Sequence, residues 1–136
     1  MKKTDGKAQA QLLTRLLTDV ELEIMTILWR ISEGSVADVI EELPKHRDLA
    51  YTSVSTMLRI LEQKRVVKTR KEGRGHIYVP LVSKSDYEST AVRDVVERVF
   101  EGAPSALVRQ LINSVELSTE ELRELKELIS RAEAKR

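Results

Sequence analysis

Four hydroxyl side chains fall within five positions of the stretch AYTSVSTMLRILEQK, residues 50–64: Thr52, Ser53, Ser55 and Thr56, with Arg59 one turn further on. Hydroxyls and a guanidinium at this spacing suit non-covalent recognition. A hydroxyl donates to phosphate oxygens or bonds a base edge, a Thr methyl meets a thymine methyl, and arginine reaches guanine or a phosphate. At helical spacing Thr52, Ser55, Thr56 and Arg59 share one stripe, with Ser53 at its edge. Val54, Leu58 and Leu61 lie on the far side. No acid occurs from Leu49 to Leu61, where a carboxylate would face phosphate. Ser and Thr are also good residues near a helix start. The hydroxyls alone therefore leave two readings open, a binding face and a capped, solvated surface.

Charge placement separates them. The chain carries a net charge of only +1, but residues 45–76 hold nine basic and three acidic side chains. The flanking segments are both net acidic. A basic centre between acidic flanks is the footprint of an anion-binding surface. The plainer alternative is a solvated charged face.

The elements that must hold these residues can be read from local signals. Thr18 and Glu21 are spaced as a capping box, with Leu17 and Leu22 as its hydrophobic staple. Ile24, Ile27, Leu28 and Ile31 continue a first helix, which Gly34 is expected to end. Ser35 can cap a short second helix carrying Val36, Val39, Ile40 and Leu43, and Pro44 stops it. A connector over residues 45–48 leads to the helix of residues 50–64. From Val66 onward the period changes to two. Val67, Thr69 and Lys71 alternate with Lys68 and Arg70, and His76 to Val79 form the return strand of a hairpin. Gly73 and Gly75 supply the turn, and Pro80 marks the end of pairing.

Residues 84–136 are purely helical in pattern. Ser85 and Glu88 are spaced as a capping box for a helix with Tyr87, Ala91, Val95 and Val99 on one face, closing at Gly102. Pro104 suits the first turn of the next helix, with Leu107, Val108, Leu111, Ile112 and Val115 inward. Leu117 to Leu122 repeat the box and staple of residues 17–22, and Leu125, Leu128 and Ile129 extend that stripe. Three short helices bury too little surface to stand alone. A second copy would complete the core as a homodimer, through Val95, Val99, Leu107, Leu111, Leu122, Leu125, Leu128 and Ile129. The alternative is that they pack back on the N-terminal half.

The fold class expected is mainly α with a small β-hairpin. A winged helix-turn-helix domain spans residues 17–83, a helical dimerisation domain spans 84–136, and residues 1–16 form a flexible polar tail. In a winged helix the third helix lies in the major groove and the wing lies over the backbone or the adjacent groove. Lys64, Arg65, Arg70, Lys71, Arg74 and His76 would then sit on flanking phosphates.

LTDVELEIMTILW (17–29), LAYTSVSTMLRILEQK (49–64) and EGRGHIYVPLVS (72–83) together resemble the penicillinase-repressor family (BlaI/MecI/CopY type) of winged-helix transcriptional regulators. The resemblance spans about residues 17–132. It implies a dimeric bacterial repressor of a palindromic DNA operator. By position, Thr52, Ser53, Ser55, Thr56 and Arg59 would read the operator, and Arg70, Lys71, Arg74 and His76 would touch backbone. Three features depart from the pattern. Arg65 stands where the family often has glycine. The chain has no cysteine, which excludes copper sensing through thiolates. Asp94-Val95 does not match the Asn-Phe pair cut in the β-lactam-responsive members.

Other classes fit less well. A winged-helix protein-interaction scaffold needs no basic stripe, and this chain has one. Neither His46 nor His76 stands in a carboxylate constellation or beside a cysteine, so no enzyme, cofactor, metal or small-molecule substrate is expected. No apolar run approaches the roughly 20 residues of a membrane span. No apolar segment follows Lys2 and Lys3, so a secretory signal is not expected. The absence of cysteine fits the reducing cytoplasm.

Overall fold

The computed structural model describes residues 17–136; the expected polar tail lies outside the described residues. These hold six helices and one hairpin: α1 Asp19–Ile31, α2 Val36–Glu42, α3 Tyr51–Gln63, β1 Val67–Glu72, β2 Gly75–Pro80, α4 Lys84–Val99, α5 Pro104–Ser114 and α6 Thr119–Ala134.

The caps follow the sequence signals closely at α1 and α2. Thr18 Oγ1 accepts the Glu21 amide at 3.1 Å and Glu21 Oε1 accepts the Thr18 amide at 2.7 Å. Ser35 and Asp38 make the same reciprocal pair at the start of α2. The end of α1 differs from expectation. Ser32, not Gly34, takes the left-handed position there, with φ 79°. Gly34 serves a longer-range contact. Its N–H donates to the Tyr78 carbonyl at 3.1 Å, and its own carbonyl accepts the Tyr78 N–H at 2.7 Å. A Cβ on Gly34 would stand 2.9 Å from Ile31 Cδ1 and 3.0 Å from Asp38 Cβ. Glycine is needed here for room.

α3 is anchored at its end and open at its start. Ala50 supplies no side-chain cap, and the first turn carries no acid. At the other end the Val66 N–H donates to Leu61 O at 2.9 Å and the Arg65 N–H donates to Glu62 O at 3.0 Å. That pair of bonds is a Schellman motif, closed by the apolar contact position of buried Val66 and Leu61. Arg65 occupies the left-handed C′ position with φ 63°.

β1 and β2 pair antiparallel in the register Thr69 with Tyr78, Arg70 with Ile77 and Lys71 with His76. Gly73 and Arg74 form the two-residue turn, and only the first has positive φ, at 60°. That is the type II′ pattern with glycine at the first central position. Gly75 needs no such freedom.

The core joins Ile24, Met25, Ile27 and Leu28 of α1, Val36 and Val39 of α2, Val54, Leu58 and Leu61 of α3, and Val66, Val67, Tyr78, Val82 and Tyr87. Trp29 Nε1 donates to the Val82 carbonyl at 2.8 Å, and its ring lies 5.6 Å from that of Tyr87. These contacts draw the first turns of α4 into the N-terminal unit. The chain divides into two compact units at Asp94–Val95, inside α4. The α4 cap is two residues earlier than expected. Ser83 Oγ accepts the Asp86 amide at 3.0 Å, which places Ser85 inside the helix.

In the second unit, Pro104 occupies the first turn of α5, and Ser118 with Glu121 forms the capping box of α6. Neither helix contains a buried residue.

Candidate nucleic-acid interface

Burial of Val54, Leu58 and Leu61 fixes which way α3 faces. Thr52, Ser53, Thr56 and Arg59 are then exposed, while Ser55 is half-buried. At about 100° per residue, Thr52 and Thr56 stand opposite the core. Exposed Gln63 falls in line with them, although it was not singled out in the sequence. Ser53 turns to one flank. Ser55 turns to the other, toward the wing.

On that flank a groove of about 480 Å³ runs between α3 and the hairpin. Tyr51, Ser55, Arg59 and Glu62 line it from α3, and Thr69, Arg74, His76 and Tyr78 line it from the hairpin. Tyr51 is 59% exposed at the open end of α3. It is a second residue that sequence reasoning passed over. Its signal is the spacing i, i+4, i+8 with Ser55 and Arg59. Burial pushes the Tyr78 phenol up, and the Glu62 carboxylate adds to the shift. Glu62 is not a free acid at the interface. It accepts the Thr69 hydroxyl at 2.7 Å and so ties α3 to β1.

The expected phosphate-facing cations do not all stand alike. Arg65, Lys71, Arg74 and His76 are exposed. Lys64 is turned inward. Its Nζ donates to both oxygens of Glu21, at 2.9 and 3.0 Å, and Glu21 is only 2% exposed. Arg70 is held by two acids. It forks onto Glu33 at 3.2 and 2.6 Å and reaches Glu72 at 3.1 Å. The Arg70 guanidinium holds the Glu33 carboxyl below the usual carboxylate range. These two side chains thus have acidic partners within the protein that sequence position did not reveal. His46 is exposed in the connector before α3.

The aliphatic residues expected at a dimer contact are largely uncovered in the single chain. Leu111, Leu122, Leu128, Ile129 and Val99 are exposed, and Val95, Leu107 and Leu125 are half-buried.

The family model described as penicillinase repressor matches residues 17–131. The chain is 31% identical over 113 residues to the penicillinase repressor of Bacillus licheniformis, covering 83% of this chain and 88% of that one. It is 25% identical over 115 residues to the methicillin resistance regulatory protein MecI of Mammaliicoccus sciuri, covering 85% and 94%. Among solved structures, the DNA-binding domain of the repressor BlaI matches with a TM-score of 0.47 and 37% identity, covering 52% of this chain and 87% of that one. The family match runs through the winged helix and most of the helical segment behind it, and this chain belongs to the penicillinase-repressor family of DNA-binding transcriptional repressors.

Proposed function

We propose that this repressor binds a palindromic operator as a homodimer, with α3 in the major groove and the hairpin on the flanking backbone. One observation carries the reading. The outward face of α3 bears hydroxyls and Arg59, without an acid, beside a hairpin that presents Lys71, Arg74 and His76. Thr52, Ser53, Ser55, Thr56 and Arg59 read the site, and Arg65, Lys71, Arg74 and His76 hold phosphates. Short hydroxyls allow the helix backbone to come close, and long cations then set its register.

The dimer reading rests on the uncovered aliphatic residues of α4, α5 and α6. Val99 is 60%, Ile129 55% and Leu128 49% exposed in one chain. A second copy laid on the same face would cover them through an isologous contact. Among the described residues, no helix is long and apolar enough to cross a membrane. A repressor of this kind acts in the cytoplasm, on the DNA of its host.

Selection of duplexes from a random pool by the purified protein tests the reading. A palindrome is expected, with half-sites about one helical turn apart. Affinity for it should fall steeply as salt rises, through counterion release. Failure to enrich any sequence at low salt would overturn the proposal.

A further inference from the structure

The hairpin has two faces, and the wing cations are divided between them. Alternation along paired strands puts Thr69, Lys71, His76 and Tyr78 on one face. The Thr69–Glu62 bond and the groove-lining positions of His76 and Tyr78 identify it as the face toward α3. Lys68, Arg70, Glu72 and Ile77 lie on the other. Arg70 therefore points away from α3, toward the corner between α1 and α2. There both of its terminal nitrogens meet Glu33, at 3.2 and 2.6 Å, and one also meets Glu72 at 3.1 Å. A two-pronged guanidinium–carboxylate contact fixes direction as well as distance. Glu33 directly precedes Gly34, the residue that exchanges two backbone hydrogen bonds with Tyr78. One corner thus grips the hairpin twice, by backbone on β2 and by side chain on β1.

We propose that Arg70 and Glu33 are positioning residues that set the wing against the body of the domain, and that Arg70 does not itself contact DNA phosphate. The proposal rests on the operator-binding reading above and removes one cation from its backbone contacts. Two carboxylates already offset the Arg70 charge where it stands. An arginine recruited to phosphate would have to leave both and release the wing from the α1–α2 corner.

The test uses the full chain and the duplex it selects, with binding measured by fluorescence anisotropy across a salt series. Arg70→Gln and Glu33→Gln should each weaken binding by about two- to fivefold, the scale of an exposed ion pair. The double variant should be no weaker than either single one. The slope of log affinity against log salt should stay at the wild-type value in all three, whereas Arg74→Gln should lower it by about one. A slope lowered by about one in Arg70→Gln, or tighter binding by Glu33→Gln, would overturn the proposal, because Glu33 would then be masking a phosphate ligand. Hydrogen exchange without DNA gives a second, independent reading. The Gly34 and Tyr78 amides should exchange faster in Arg70→Gln and Glu33→Gln than in wild type or Arg74→Gln, and unchanged exchange would equally refute the strut. Loss of the operator reading itself would show in the wild-type protein, as no selected duplex. Loss of this one shows only in the variants.

Discussion

Glu21 and Lys64 stand 43 positions apart and meet at 2.9 Å, one at the first turn of α1 and the other at the end of α3. The same carboxylate accepts the Thr18 amide at 2.7 Å. A single buried acid therefore caps one helix and fastens the last turn of another. Removing Lys64 would leave that acid without its counter-charge. Lys64→Met is expected to destabilise the fold by about 2 kcal/mol, below the full cost of breaking a buried pair because the lysine is partly exposed. The Glu21→Gln/Lys64→Met double variant should recover part of the loss. Urea unfolding measures both, and an effect under about 0.5 kcal/mol for Lys64→Met would show that the pair contributes little.

The same pair predicts a pH dependence. Burial works against a charged Glu21, but the Lys64 ammonium and the Thr18 donors outweigh it and hold the carboxyl below its ordinary value. A folded-state pKa lower than the unfolded one stabilises the protein above the unfolded value, about 4.3. That stabilisation is lost as pH falls through the folded value. The Tm gap between wild type and Glu21→Gln should be constant from pH 7 to pH 5 and should shrink below about pH 4.3. A gap that persists at pH 3 would assign the effect of the substitution to packing.

Arg65 sits in a backbone region that favours glycine, at φ 63°. Arg65→Gly should raise stability by about 0.5–1 kcal/mol, as the relief of the left-handed strain exceeds the added freedom of the unfolded chain. Arg65→Ala should give no such gain. Denaturant midpoints compare the two directly. The glycine variant should also lose affinity for the selected duplex, since Arg65 is exposed beside the end of α3.

Arg59 lines the groove and extends the outward stripe of α3. Arg59→Ala should cost about 1–3 kcal/mol on the selected operator and relax preference at one base pair. Binding to a panel of single-base variants decides between roles. An equal loss on every duplex would make Arg59 a phosphate contact.

Leu111 and Leu125 lie on the apolar faces of α5 and α6, neither of which buries a residue in the single chain. Leu111→Asp with Leu125→Glu should yield a monomer in light scattering and a much weaker operator complex. A persistent dimer would move the interface elsewhere.

Much of this fold was legible because its punctuation is local. Thr18 with Glu21 and Ser118 with Glu121 are each three residues apart and each forms its box, and Ser35 caps α2 as expected. The outward direction of Thr52 and Thr56 followed from where Val54, Leu58 and Leu61 had to go. What sequence could not supply was pairing at a distance. Glu21 read as a capping residue and nothing more, because its second partner lies beyond α2 and α3. Lys64 and Arg70 looked like equals of Arg74 until strand register and burial gave them acids of their own. Gly34 read as a helix stop, since its partner Tyr78 is on another element. Ser85 read as the cap of α4 because Glu88 stands three residues on; Ser83 takes that place instead, and Tyr87 packing beside Trp29 accompanies the earlier start.

The open start of α3 carries a consequence for how the complex assembles. α1, α2 and α6 each begin with a side-chain cap, whereas α3 begins at Ala50 with none. Its first amides therefore have no side-chain acceptor from a cap within the protein. A phosphate oxygen placed there would supply the missing acceptor. The repressor would then complete its own recognition element only on meeting DNA. Amide protection at residues 51–53 should rise on operator binding far more than at the already sealed end near Leu61.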